Sequence, residues 1–521
     1  MVLKLLLLIS IVGFSLYGLH RLHLLRLWYR YRSPRGREPA VPKATEEKDG
    51  SGSLLEHERG GRGSGRHPVL AKPKIGRRGE EAASSDEVPF VTIQLPLYNE
   101  RMVAKRLIRT AAEMDYPRDR FEIQVLDDST DATREVVDHA ARDVERKGIS
   151  IRVIRRSSRA GFKAGALQEG LRKARGELVA VFDADFLPPR DFLARTVPFF
   201  RDSRIGMVQG RWTFLNEDDS FLTRAQALSL NGHFRLEHFV RCAHGCFFNF
   251  NGTAGIWRAE TIHSAGGWNG GMLTEDLDLS YRAQMAGWRF LYLDDLECAS
   301  ELPPTYKAFK SQQFRWMKGM AQVARNLLPS LLRARLPFRV KAEAVAHLLA
   351  PMTYSLALAS FLLFLPLLSL LHEAGAAWKA AYAIALGSTT VIVGLFHYVA
   401  DGRPPLRRFL GRFLALLVLG VGNSLNATRA VLEGFLGIDS PFVRTPKYGR
   451  DGSAPAIGMV WYRMRLDRLI VAEAVLGLYG LFTIIASVLC CLFVTPWALL
   501  FTIGWFAMTV GQVRETLTGN A

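Results

Sequence analysis

The sequence predicts an α/β domain with a parallel sheet, set between membrane-spanning helices. Short β-type runs at 90–96, 121–127, 150–155 and 178–183 are separated by helical stretches at 101–114, 131–147 and 163–174. Strands that alternate with helices imply parallel βαβ units. Around this block, apolar residues cluster at 3–19, 344–371, 380–400, 409–428 and 469–513. The run from Ala474 to Val513 holds no Asp, Glu, Lys or Arg, and it is long enough for two passes with a turn near Pro496.

Taken in order, residues 1–32 read as an N-terminal membrane anchor. The apolar stretch 3–19 is followed by His20, Arg21, His23 and Arg26 with no small-residue cleavage site, which favours an uncleaved anchor over a signal peptide. Residues 33–88 are rich in Gly, Ser, Arg, Lys, Glu and Pro and hold no aromatic residue, so they form a disordered basic linker. The polar domain occupies 89–340, a helix pair 341–400, an interfacial helix and loop 401–468, and a second pair 469–513. Basic residues at 20–80, 403–412 and 429–468 belong on the cytoplasmic side under the positive-inside rule. That rule makes 409–436 interfacial or re-entrant, and prefers five crossings to six, with the polar domain in the cytoplasm.

The net charge of +18 raises nucleic-acid binding as a function class. The excess borders apolar segments, and no basic helix with interleaved aromatics appears, so no nucleic-acid partner is expected. Five cysteines (Cys242, Cys246, Cys298, Cys490 and Cys491) suit a reducing compartment. Cys242-Ala-His-Gly-Cys246 lacks the second Cys/His pair of a zinc site and reads as two ordinary thiols. The sequons at Asn251 and Asn426 are expected to be accidental.

Three acidic motifs carry the chemistry: Asp127-Asp128-Ser129, Asp183-Ala184-Asp185 and Thr274-Glu275-Asp276. The strand LVAVF leads directly into Asp183 and Asp185, and ligands of open α/β sheets bind beyond the carboxyl ends of the strands. Two carboxylates placed there can hold a hard divalent cation against a diphosphate. Asp276 suits a base that takes the proton of an attacking hydroxyl, with Glu275 supporting or competing. The bland reading is that the triplet caps a helix over 276–286. Gln312-Gln313-Phe314-Arg315-Trp316 opens an amphipathic stretch in which Trp316 offers a flat platform for a sugar ring, while Gln312 and Arg315 supply donors. The bland reading there is a membrane-interface anchor.

With these motifs in order, the sequence resembles the processive family-2 glycosyltransferases of the cellulose synthase superfamily, most of all the cellulose-synthase-like mannan and glucan synthases and their bacterial relatives. The matching text is QLPLYNE (94–100), QVLDDSTDATREVV (124–137), GFKAGAL (161–167), VFDADFLP (181–188), NGTAGIWR (251–258), TEDLDLSYRA (274–283) and QQFRW (312–316). The resemblance implies a GT-A fold. It implies that Tyr98, Asp128 and Lys163 line the nucleotide and its phosphates, and that Asp183 and Asp185 bind donor and Mg²⁺ or Mn²⁺. Arg315 joins the donor side and Asp128 counts with Asp276 among the catalytic carboxylates. Asn251, Gly252, Thr253, Gln312 and Trp316 face the acceptor. Phe442, Arg444, Thr445 and Lys447 resemble the family's gating loop, with Arg444 and Pro446 departing from its pattern. The lipid-gripping reading of that basic stretch stands beside it.

The implied function is an inverting, metal-dependent transfer of a hexose from UDP-glucose or GDP-mannose to a growing β-linked polysaccharide. One alternative is a non-processive enzyme acting on diacylglycerol or a polyprenyl phosphate. Another is a non-catalytic transporter or scaffold, against which the spans offer little beyond His347, His397 and Glu473 as ionisable groups. Expected partners are the nucleotide sugar, a glycan or lipid acceptor, and membrane lipids.

Overall fold

The computed structural model describes residues 2–32, 88–373, 375–440, 447, 449 and 468–518. The linker over 33–87, and Phe442, Arg444 and Thr445 of the loop, lie outside the described residues.

Seven strands form one sheet in the order β3-β2-β1-β4-β6-β5-β7. They are β1 (Val91–Leu97), β2 (Phe121–Asp127), β3 (Ile151–Ile154), β4 (Leu178–Val181), β5 (Ile205–Phe214), β6 (Gly255–Arg258) and β7 (Arg289–Ser300). Helix α1 (Val2–Tyr31) precedes them. In the first half, α2 (Arg101–Ala112), α3 (Thr133–Glu145) and α4 (Phe162–Arg172) alternate with strands as the periodicity predicts. The second half carries α5 (Phe192–Thr196), α6 (Phe221–Gly232), α7 (Phe239–His244), α8 (Ala259–Ser264) and α9 (Glu275–Met285). The described residues beyond β7 are mainly helical: α10 (Tyr306–Arg333), α11 (Phe338–Leu348), α12 (Met352–Glu373), α13 (Ala376–Ala400), α14 (Leu406–Gly422), α15 (Ser424–Leu436), α16 (Leu469–Cys490) and α17 (Thr495–Thr518).

Alternation along β1 shows how the sheet is seated. Val91, Ile93, Leu95 and Leu97 enter the core shared with Val103, Leu107 and Ile108 of α2. Thr92 and Gln94 point to the other face and are buried too. Thr92 donates to Glu122 at 2.9 Å and Gln94 to Gln124 at 3.1 Å, residues directly opposite on β2. Those bonds satisfy the atoms they join, which burial would otherwise penalise, while Gln94 Oε1 and Gln124 Nε2 have no partner among the described residues.

The sheet is mixed, where the strand–helix alternation predicts parallel pairing. β1, β2, β3 and β4 are parallel, but β6 runs antiparallel to both β4 and β5. The physical reason is the entry path: α6 and α7 leave the chain at the carboxyl end of the sheet, so β6 starts beside the end of β4 and runs back along it. Val181 faces Gly255 and Leu178 faces Arg258, so the start of β6 lies beside the end of β4. Antiparallel pairing thereby puts Asn251–Thr253 next to Asp183.

Among the described residues, three helices are long and apolar enough to cross a membrane: Ala376–Ala400, Leu469–Cys490 and Leu492–Leu517. The number rises to five if each of two bent pairs is one span, Phe338–Leu348 with Met352–Leu368 (56°) and Leu406–Gly422 with Ser424–Leu436 (50°). The second bend falls in the segment 409–436 that charge statistics make interfacial or re-entrant.

Candidate active site

The carboxyl end of the sheet brings the acidic motifs together. Register aligns Leu97 with Asp127, and the amide of Asp128 donates to the Leu97 carbonyl at 3.0 Å, fixing Asp128 at the rim. Arg156 engages both oxygens of Asp128, its Nε at 3.0 Å. Arg155 holds the buried Asp127 by one oxygen, Nε to Oδ2 at 2.9 Å, while its Oδ1 accepts the Ser129 amide at 3.0 Å. Arg159 lies over the Tyr98 ring with its guanidinium carbon 3.3 Å from the centroid.

Past β4, Thr253 accepts the Asp183 amide at 2.8 Å. Lys163, on the first turn of α4, reaches Asp183 Oδ1 at 2.6 Å and donates to the Gly252 carbonyl at 2.8 Å. Lys447 sits 2.5 Å from Asp185 Oδ1. Each carboxylate of the pair therefore holds an ammonium where a divalent cation would bring its charge. No group of three or more His, Cys, Asp or Glu able to hold a metal occurs among the described residues. Two carboxylates completed by phosphate oxygens are a common way to hold Mg²⁺, and the hard oxygen donors of Asp183 and Asp185 fit such an ion.

Asp276 faces this cluster from α9. A Cβ built on Gly252 would stand 3.0 Å from Asp276 Oδ2 and 3.3 Å from Lys163 Nζ. Gly252 also has φ +82°, a conformation that side chains disfavour, so both space and backbone call for glycine. Burial, and then the neighbouring charge of Glu275, push the Asp276 carboxyl up to about 7, with Lys163 and the Leu277 amide opposing. Burial raises Glu275 as well, against Lys163. Burial opposes the charge on Lys163, but Asp183 and Glu275 hold its pKa above the ordinary lysine value. For Arg315 burial prevails over the attraction of Glu275, Asp183 and Asp276, and its pKa is lowered. The capping reading of Thr274 fails in one respect: it stands at the N-cap of α9 but makes no side-chain cap bond.

On its far side Asp276 borders a cavity of about 480 Å³. Gln312 and Trp316 line it from α10, Asn251 from the loop before β6, Tyr354 from α12 and Trp497 from α17. Trp316 thus faces the cavity instead of serving only as an interface anchor. Helix α10 is pinned on both sides of this segment. Lys310 is buried against Glu473 of α16 at 2.6 Å and Gln512 of α17 at 3.2 Å. Lys318 is buried against Glu433 of α15 at 2.9 Å and also bonds Ser440.

The ionisable groups inside the apolar segments have structural partners. Glu473 holds Lys310, His347 bonds the Tyr281 hydroxyl at 2.8 Å, and His397 faces the Leu228 carbonyl at 3.2 Å. Asn426 is buried, its amide nitrogen donating to the Lys310 carbonyl at 3.0 Å, and Asn251 lies in the site. Cys242 and Cys246 are buried thiols, pushed up to about 11 and about 12 by that burial.

Sequence reasoning missed Arg156 and Arg159. Their signal was the basic stretch Arg155-Arg156-Ser-Ser-Arg159 between a strand end and a helix start. It also missed the cavity-facing His233, Glu237 and Arg21.

A GT-A-type sheet with this carboxylate set defines a class, and comparison with known proteins agrees. A family model described as glycosyltransferase like family 2 matches residues 89–319. Glucomannan 4-beta-mannosyltransferase 9 of Arabidopsis thaliana is 36% identical over 416 residues, covering 76% of this chain and 75% of that protein. The chain belongs to the family-2 glycosyltransferases, with cellulose-synthase-like relatives. Glucomannan 4-beta-mannosyltransferase 2 of Arabidopsis thaliana is 46% identical over 259 residues, 49% of this chain and 48% of that protein. The chain spans about half the length of the curated relatives it first matches. Among solved structures, the mannosyltransferase PcManGT from Pyrobaculum calidifontis, in complex with GDP-Man and Mn²⁺, is 20% identical at a TM-score of 0.48, covering 84% of this chain and 99% of that one.

Proposed function

We propose that the protein is a membrane-embedded, inverting glycosyltransferase that adds β-linked mannose to a growing polysaccharide. The observation that carries this reading is the position of Asp276, at the junction between the Lys163–Asp183 cluster and a cavity floored by Trp316. The relatives' 4-beta-mannosyltransferase names support mannose as the sugar. GDP-mannose is the donor to test first, with UDP-glucose second.

The donor diphosphate lies along the rim near Tyr98, Asp128 and Lys163. Asp183 and Asp185 would hold Mg²⁺ or Mn²⁺, which would supply charge neutralisation for the leaving diphosphate. The acceptor sugar stacks on Trp316 and directs one hydroxyl at the donor's anomeric carbon. Asp276 takes the hydroxyl proton as the new C1–O bond forms on the face opposite the breaking C1–O–phosphate bond. One displacement with one base converts an α-linked donor into a β-linkage. A carboxyl group poised near pH 7 is suited to that proton transfer. Lys163 stays beside the departing phosphate, and such fixed charges lower the barrier without reorganising. The cavity continues among the membrane helices and gives the lengthening chain an exit. The basic flanks of the apolar segments support a cytoplasmic catalytic domain on a multi-pass protein.

The test is radiolabel transfer by purified protein in lipid, with each donor offered separately alongside Mg²⁺ or Mn²⁺. Label from GDP-mannose in a size-excluded polymer is the expected result. Label confined to the organic phase overturns the polysaccharide reading in favour of a glycolipid product. No transfer from either donor rejects the proposal.

A further inference from the structure

A second cluster of ionisable groups lies in the cavity wall, outside the carboxylate set. The backbone over His233–His238 is a π-helix, a rare form that is frequent at functional sites. His233 bonds Glu237 through Nδ1 at 3.2 Å and the Asn251 amide nitrogen through Nε2 at 3.0 Å. Glu237 in turn receives Arg21 from α1, and Arg241 lies 3.3 Å away. Arg241 continues to Glu343 at 2.8 Å, and His20 of α1 meets Glu343 at 2.9 Å. Arg21, His233, Glu237 and Asn251 all line the cavity that reaches Asp276.

The direction of these bonds follows from charge. Burial opposes ionisation of Glu237, but Arg21 and Arg241 hold its carboxyl well below the usual range, so it accepts. With the Asn251 amide nitrogen facing Nε2, that ring nitrogen accepts and His233 carries its proton on Nδ1, donating it to Glu237. The Asn251 amide is turned with its nitrogen toward His233 and its oxygen away. That oxygen is buried and has no hydrogen-bond partner among the described residues, as is the Thr274 hydroxyl, also on the cavity wall. Unpaired buried acceptors are costly unless a ligand supplies the donor.

We propose that Arg21, Glu237 and His233 form a positioning relay that fixes the Asn251 amide so that its oxygen accepts a hydroxyl of the acceptor glycan. The first helix is then part of the acceptor site, reaching it through Glu237, 216 residues away in sequence. The inference rests on the proposed glycan acceptor, and it assigns three residues that neither the motifs nor the resemblance mark.

The test uses the full chain in lipid with linear β-linked mannotetraose as the probe. Two readouts are taken: direct binding of the saccharide without donor, and release of nucleoside diphosphate without saccharide. His233→Phe and Arg21→Leu should each weaken saccharide binding about tenfold while nucleotide affinity and basal donor hydrolysis stay unchanged. His233→Gln and Arg21→Lys should restore most of the binding. Where Arg21→Leu does not fold, the His233 pair decides alone, because His233 is partly exposed to the cavity. Unchanged saccharide affinity in His233→Phe overturns the relay, and so does an equal loss in His233→Phe and His233→Gln. Absence of transfer by the wild-type protein from either donor would reject the proposed function instead, independently of these binding data.

Discussion

The two sides of Asp276 are built from opposite materials. On the proposed donor side each rim carboxylate holds a cation: Asp128 with Arg156, Asp183 with Lys163, Asp185 with Lys447. On the proposed acceptor side the cavity presents aromatic faces and mostly neutral polar groups, with the few charges paired among themselves. A diphosphate needs exchangeable charge, which fixed ion pairs provide once one partner is displaced. A glycan carries no charge, and it is held by ring stacking and by hydroxyls that find partners. On the proposed reading, the difference teaches that one site can separate the binding of two substrates by physical mechanism as well as by place.

That separation can be broken in graded ways. Asp276→Asn, at the junction, should lower turnover on the order of 10³-fold, within the range for lost general-base catalysis, and leave nucleotide affinity nearly intact. Unchanged turnover in a transfer assay would remove the base. Asp185→Ala should weaken donor binding by roughly 10–100-fold in the presence of Mg²⁺ or Mn²⁺, a loss of about 1.4–2.8 kcal/mol. Titration with the nucleotide sugar checks it, and normal affinity would argue against a metal role. Trp316→Ala should raise the acceptor KM about tenfold, comparable to losing one stacked ring, without raising the donor KM. A parallel rise in both would erase the distinction between the two sides.

The pH dependence sharpens the same comparison. A base with its pKa near 7 is protonated, and inactive, below that value. Transfer should therefore fall about tenfold per unit as pH drops below 7, and level off above it. Glu275→Gln removes a negative neighbour that raises Asp276, so the acidic limb should move to lower pH. The smallest effect is screening. Raising salt should increase the donor KM severalfold and leave the acceptor KM where it was.

Much of the catalytic half was legible because its signals are local. β2 spans the predicted 121–127, and β1, β3 and β4 fall within two residues of their predicted bounds. Acidic residues after apolar strand ends reach one rim because parallel strands share a carboxyl edge. What stayed hidden depends on tertiary pairing. The antiparallel β6 is four residues long, too short for its periodicity to carry a direction. The relay through Arg21 was invisible because a basic residue after an apolar stretch reads as a membrane flank, and its partner lies far along the chain. The bend between α14 and α15 likewise lies inside one continuous apolar run.

The pinning of α10 has a consequence for how the protein is made. The last strand of the sheet ends at Ser300, so the sheet can complete early in synthesis. Lys310, however, is neutralised by Glu473, 163 residues later. At translation rates of about 5–20 residues per second, that interval is on the order of ten seconds or more. During it the ammonium has no buried counter-charge and must stay in water, which keeps the Trp316 helix from docking. Emergence of the last hairpin supplies the missing carboxylate and locks the helix. The nascent chain would thus assemble its donor half first, and its acceptor half only when the membrane region is whole.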